Sequence, residues 1–344
     1  MGNIHNLLQA SLLAAHKTTI GGQALIEGLL MIGPVKRVMA VRQPDGTIHE
    51  EELAPVRLSL AGKIPFVRGS VRLFRQLVSG TKALLRSAEL SEEVAISDGD
   101  AAAETATAQN PAEPLTPVKK IGKALDQWLS RHSDVMLYVS ASLGILFSVM
   151  LFILLPNALT SLVSRFSGLT ADSSRQEAIL FNLIEGLIRI TIFVGYLALT
   201  SRIKDIRRVW MYHGAEHKTI ACYEAGETLT VEHAGHYSRF HPRCGTAFLF
   251  IVILVSIIVF SLVGWRGFWL NLLIRFALVP LVAGIAYEII RLAGRFDNWL
   301  TRAISAPGLW LQRFTTAEPD EGMLEVAIVA MNAVRPESEQ SDVW

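Results

Sequence analysis

The sequence is short of charge. Asp, Glu, Lys and Arg make up 18% of its 344 residues, against about 25% in ordinary soluble proteins. What charge there is nearly cancels, 32 basic against 31 acidic residues for a net charge of +1, so no nucleic-acid partner is expected. Two cysteines, Cys222 and Cys244, are too few for a disulfide scaffold. The glycine-rich stretch Gly21–Gly28 lacks the Gly-Lys-Ser/Thr ending of a phosphate loop, which removes the nucleotide reading. Ile4–Ala15 has no basic residues ahead of it and no small-x-small cleavage site, so it reads as a short amphipathic helix rather than a cleaved signal. No internal repeat is visible.

What the sequence has is apolar length. Hydrophobic residues are 51% of the chain, gathered into four blocks at Val135–Pro156, Ala178–Thr200, Thr246–Gly264 and Trp269–Leu292. Each approaches or exceeds the ~20 residues that span a ~30 Å hydrocarbon core. The expected fold class is therefore an α-helical integral membrane protein with about four transmembrane helices and a small cytoplasmic α+β N-terminal domain. Lys and Arg concentrate before the first block, between the second and third (Arg202, Lys204, Arg207, Arg208, Lys218, Arg239, Arg243) and after the fourth, which places both termini and the central loop in the cytoplasm. The two cysteines then face a reducing compartment, where a thiol is a metal ligand, a catalyst or packing.

The chain divides as 1–90, a cytoplasmic α+β domain; 91–117, a linker; 118–200, a helical region with the first two spans; 201–245, a cytoplasmic His/Cys loop; 246–292, the last two spans; and 293–344, a cytoplasmic C-terminal segment. In the first domain Arg37–Gln43 and Thr47–Leu53 flank Pro44-Asp45-Gly46, a hairpin signal, and Val67–Ala88 reads as a helix that packs on the hairpin or lies on the membrane surface. Residues 89–116 hold seven acids and no Lys or Arg, which predicts disorder. Leu155–Ala178 reads as an interfacial hairpin or helix on the outer face, and Met323–Ala333 as a helix.

The chemistry concentrates in Tyr212-His213-Gly214-Ala215-Glu216-His217-Lys218. On a helix His213 and His217 lie one turn apart on one face, the His-x-x-Glu-His spacing of inverted zinc peptidases, in which the glutamate is general base. Such pairs also occur on solvated helix faces. His241-Pro242-Arg243-Cys244-Gly245 adds a second pair of donors resembling half a zinc knuckle. Together His213, His217, His241 and Cys244 make a four-coordinate set for a divalent ion, zinc first among candidates. With one donor absent, water occupies the open position and Glu216 activates it. His233 and His236 read as surface residues.

Glu27, among apolar neighbours after the paired glycines, is a second candidate base or ligand; a glycine turn with a salt-bridged glutamate is the alternative. Ionisable groups inside spans are costly. Glu185 and Arg275 fall at a shared depth where they can pair, although Glu185 and Arg189 are also i,i+4 neighbours. Glu288 supports the metal site or pairs with Arg291 or Arg295.

Five blocks in order, GGQALIEG, YHGAEHKTIACYEAGE, HPRCGTAF, PLVAGIAYE and TTAEP with EVAI, resemble the YqhQ-like family of uncharacterised bacterial membrane proteins, labelled predicted metal-dependent enzymes, from about Ile20 to Ala333. The resemblance implies a metal-dependent enzyme of the bacterial cytoplasmic membrane. Its matching positions are Gln23, Glu27, His213, Glu216, His217, Cys222, His241, Arg243, Cys244, Glu288 and Glu318. The reading is a membrane-embedded metal-binding protein, as a hydrolase with Glu216 and Glu27 as candidate bases and Cys222, Glu288, Gln23 and Arg243 in support. Its rival is a non-catalytic scaffold for membrane-protein assembly or transport with a structural zinc. Expected partners are the lipid bilayer and a membrane protein or further copies of the chain.

Overall fold

The computed structural model describes residues 17–54, 64–106, 133–167, 175–263, 268–296 and 298–336. The amphipathic helix expected over Ile4–Ala15 lies outside them. The chain forms two compact units, one of residues up to Ala95 with Val194–Trp344 and the other Ile96–Phe193.

The first unit opens with four antiparallel strands in sequence order: β1 (Gly21–Leu25), β2 (Gly28–Ile32), β3 (Arg37–Arg42) and β4 (Ile48–Leu53). The expected β3–β4 hairpin is present, turning at Gly46 with φ +87°, a conformation glycine adopts without a Cβ clash. Asp45 accepts the Thr47 amide at 2.9 Å and closes the turn. The β1–β2 hairpin is additional. Gln23 faces Leu30 and Leu25 faces Gly28 across it.

β2 and β3 are buried almost throughout, because the sheet is covered on both faces. Alternation along a strand sends neighbouring side chains to opposite sides. Leu29, Met31, Val38 and Ala40 pack with Tyr212, Met323, Val326 and Ala330, on α5 (Lys204–Glu224) and α10 (Glu321–Val334). Leu25, Leu30, Met39 and Val41 pack with Ala83 and Leu90 of α1 (Val67–Ala106). The helix expected over Val67–Ala88 is thus longer than its sequence signal: its alanine-rich continuation, read as the start of the linker, is helical to Ala106, as high helix propensity favours. Residues 107–132 fall outside the described residues.

In the second unit α2 (Ser133–Val149) passes through a π-helical turn, Met150–Leu154, into α3 (Leu155–Ser167). The stretch from Leu155, read as interfacial, thereby continues the first apolar helix. α4 (Arg175–Thr200) follows, and Phe152 meets Phe193 edge to face at 6.1 Å.

The remaining helices belong to the first unit: α6 (Val231–His236), α7 (Gly245–Val263), α8 (Phe268–Arg295) and α9 (Trp299–Thr315). Ile251 and Val255 of α7 pack on Val282 and Ala286 of α8. α9 lies so close to α7 that a Cβ on Gly308 would overlap Ala247. Among the described residues, four stretches are long and apolar enough to cross a membrane: Ser142–Ser167, Ile179–Thr200, Gly245–Val263 and Trp269–Ala293.

Candidate metal centre

α5 carries the central motif. Asp205 stands in its first turn, where a negative charge complements the helix dipole. The helix stops at Gly226, φ +74°, whose amide bonds back to Tyr223 O at 3.0 Å, a left-handed glycine stop. Within this frame His213 and His217 are successive residues of one face, their ring centroids 4.4 Å apart.

The loop after α6 brings Cys244 to them, immediately before α7. One ligand atom from each of His213, His217 and Cys244 lies within 4.8 Å of the other two, and His213 Nε2 is 3.2 Å from Cys244 Sγ. Backbone carbonyls fix both rings: His213 Nδ1 donates to Thr315 O at 2.7 Å and His217 Nδ1 to Arg239 O at 2.6 Å. That arrangement sets the tautomer that leaves Nε2 as the ligand, the outer-shell pattern of metal-binding histidines. These three residues can hold a metal ion. Two nitrogens and a thiolate suit zinc and its borderline neighbours.

Burial opposes charge on Cys244, yet the two imidazoles hold its thiol well below the ordinary range. Burial would likewise lower His213, but the thiolate beside it outweighs that and raises it to about 9.

Glu216 is 5% exposed. Burial raises its pKa against the pull of His213 and His217. The Gly22 amide of β1 bonds its carboxyl, while Oε2 has no hydrogen-bond partner. Gly22 owes its place to this contact: a Cβ there would stand 3.0 Å from Glu216 Cδ and 2.8 Å from Leu30 O.

Other candidates have other partners. His241 is beside the triad, its ring 5.6 Å from that of His217, but its Nε2 turns to Glu224 Oε2 at 3.4 Å. Burial lowers its pKa. Glu224 also receives Arg243 and the Thr18 amide at 2.8 Å; against burial, these cations and donors hold it below the usual carboxylate range. The Nε2 of the expected fourth donor is thus engaged by Glu224, and the ligand atoms that converge among the described residues are those of His213, His217 and Cys244.

Glu27 sits at a strained φ of +51° in the β1–β2 turn, where Arg208 grips it through two bonds and the Tyr212 hydroxyl approaches at 3.4 Å. Gln23 packs on Gly80 of α1. Cys222 is wholly buried in the apolar core, which pushes its thiol to about 11. Glu288 takes Arg68 in a bidentate pair rather than Arg291 or Arg295. Glu185 pairs with Arg189 at 2.7 Å, and the Arg275 guanidinium lies 5.3 Å from the Phe260 ring centre. His233 is in α6, where its Nδ1 meets Thr228 O at 3.0 Å. Glu318 pairs with Lys218 at 2.9 Å.

Sequence reasoning missed Gln312. It is fully buried and clamps the His241 backbone twice, accepting its amide at 2.8 Å and donating to its carbonyl at 2.7 Å. A lone amide among the apolar residues of α9 is the one local signal for it. The carbonyls of Thr315 and Arg239 carry no side-chain signal at all.

Residues 64–337 match the family model described as "Protein of unknown function (DUF1385)". The chain belongs to this family. It is also 35% identical over 316 residues to "Uncharacterized protein YqhQ" of Bacillus subtilis (strain 168), covering 91% of each chain, in keeping with the YqhQ-like resemblance. These relationships attach no metal or reaction to the fold. No solved structure matches the chain.

Proposed function

We propose that this DUF1385 protein is a membrane-embedded, metal-dependent hydrolase with its site at the cytoplasmic surface of the bacterial inner membrane. One observation carries the reading: three ligand atoms converge within 4.8 Å beside a buried carboxylate oxygen with no partner. Three protein donors are the complement of catalytic zinc sites, which keep a position open, whereas structural sites usually have four. His213, His217 and Cys244 would hold the ion, whose chemistry when bound is Lewis acidity toward a carbonyl or phosphoryl oxygen.

The chain's own part is positioning and proton transfer. Thr315 O and Arg239 O orient the imidazoles. Gly22 fixes one side of the Glu216 carboxylate, leaving Oε2 to accept a proton as general base. Glu27 acts at a distance, steadying α5 through Arg208. Cys244 directly precedes an apolar helix that can cross the membrane, so a peptide or lipid-like substrate can arrive laterally. The Lys/Arg bias supports the cytoplasmic orientation.

A structural ion is the second reading. It is favoured by the way the site joins α5, the loop before α7 and, through Thr315 O, α9. Metal content of the purified full chain, measured beside Glu216→Gln, Cys244→Ser and His241→Ala, separates these readings. A catalytic site predicts that Glu216→Gln keeps its metal but fails to restore a deletion strain, and that azide shifts the visible bands of the cobalt-substituted protein. A structural site predicts full restoration by Glu216→Gln and no azide response. If Cys244→Ser and His213→Ala retain wild-type metal content, the triad is not a metal site.

A further inference from the structure

α1 has two occupied faces and an open one. Ala83, Ser87 and Leu90 are buried on the side that meets the sheet. The first turns cross α8 inside its membrane-length stretch, Trp269–Ala293. Gly69 fits where a Cβ would lie 2.5 Å from Tyr287 Cβ, and Ser70 Oγ donates to Pro280 O at 2.5 Å. Arg68 pairs with Glu288, and Arg72 donates to the Tyr287 hydroxyl at 2.8 Å. Pro280 is near the middle of that stretch, so a membrane-spanning α8 carries the start of α1 to bilayer depth.

The open face is apolar. Val67, Phe74, Leu77, Val78 and Leu85 are 44%, 68%, 60%, 44% and 38% exposed, and their spacing keeps them on one stripe of the helix. Arg75 and Lys82, seven residues apart in the sequence, border the stripe on one flank, with Arg72 beyond them. Phe276, Val279 and Leu281 of α8, the candidate span that the first turns of α1 cross, are exposed as well. An apolar face with a basic border is the pattern of a helix lying in a membrane interface.

We propose that Val67–Leu85 is a membrane-bound amphipathic segment, seated in the leaflet that holds Glu288. Phe74, Leu77, Val78 and Leu85 occupy the acyl region, and Arg75 and Lys82 meet anionic headgroups. The same helix carries the sheet on its other side, so this seat fixes the height of β1, and with it Gly22, relative to the lipid. The bilayer is the occupant because the stripe begins on a membrane-length helix and is flanked by positive charge.

The test uses the full chain in vesicles of phosphatidylethanolamine with a minority of phosphatidylglycerol. The photo-cross-linking residue p-benzoylphenylalanine is placed at Phe74, Val78 or, on the opposite flank, Gln76. After irradiation, mass spectrometry is expected to find lipid adducts at positions 74 and 78 and background levels at 76. Lys82→Glu is expected to lower the phosphatidylglycerol share of those adducts about fivefold, from the attraction of one basic residue to an anionic surface. Unchanged metal content and elution volume identify folded variants. Adducts to a second copy of the chain, or equal lipid adducts at all three positions, would overturn the seat; an unchanged phosphatidylglycerol share would overturn the headgroup contact.

Discussion

Gln312 shows how an uncharged side chain holds a charged site in register. Its two bonds to His241 fix the loop that delivers Cys244. Gln312→Ala leaves a buried amide and carbonyl without partners, which costs about 2–4 kcal/mol at roughly 1–3 kcal/mol per group with partial relaxation. A lower unfolding midpoint with reduced metal content is the expected outcome in thermal denaturation and elemental analysis. Gly22→Ala acts from the other side, pressing a methyl between Leu30 O and the Glu216 carboxylate. Metal content is expected to survive, because no ligand is touched, while restoration of a deletion strain falls toward that of Glu216→Gln. The spacing His213-x-x-Glu216-His217 was legible because one helix turn decides it. The role of Gln312 was not, because it depends on a chain segment 71 residues away.

At the scale of elements, close approach is set by small residues. Gly308 lets α9 rest on Ala247 of α7, and α9 presents Thr315 O to His213. Replacing Gly308 by Leu forces the helices apart and withdraws that carbonyl. Metal affinity is expected to fall about 10- to 100-fold, the usual cost of losing an outer-shell partner, measured by competition with a chromogenic chelator. The hairpin at Pro44-Asp45-Gly46 and the helix α10 were readable from turn chemistry and periodicity, whereas α5 lies in a stretch read as a His/Cys loop. β1 and β2 were not readable: β2 is buried almost throughout and so lacks the alternation that marks a half-exposed strand, and β1 opens on two glycines, a residue depleted in strands. The acidic stretch after Ala88 misled in another way: composition pointed to a linker, while local alanine content extended α1 to Ala106.

At the scale of the molecule, an ion at the triad would tie α5, α7 and α9 together. Removing it with a chelator is expected to lower the unfolding temperature of the wild type, since a ligand bound only to the folded state stabilises it. Cys244→Ser is expected to show little further loss under the same treatment. Orientation is a separate matter, for which loop charge is the guide. A fluorescent-protein fusion after Trp344 is expected to fluoresce, and an alkaline phosphatase fusion there to remain inactive; the reverse pattern would contradict the cytoplasmic placement of the site.

The sequence alone determined the four apolar stretches, because length and the absence of charge are one-dimensional properties. It also determined that His213 and His217 share a face wherever that segment is helical. Only the tertiary structure decided which distant groups reach them: Cys244 arrives, His241 turns to Glu224, and Glu27 is held by Arg208. Each of those outcomes is a competition for the nearest partner of opposite charge or matching hydrogen-bond capacity, and proximity exists only after the chain has folded.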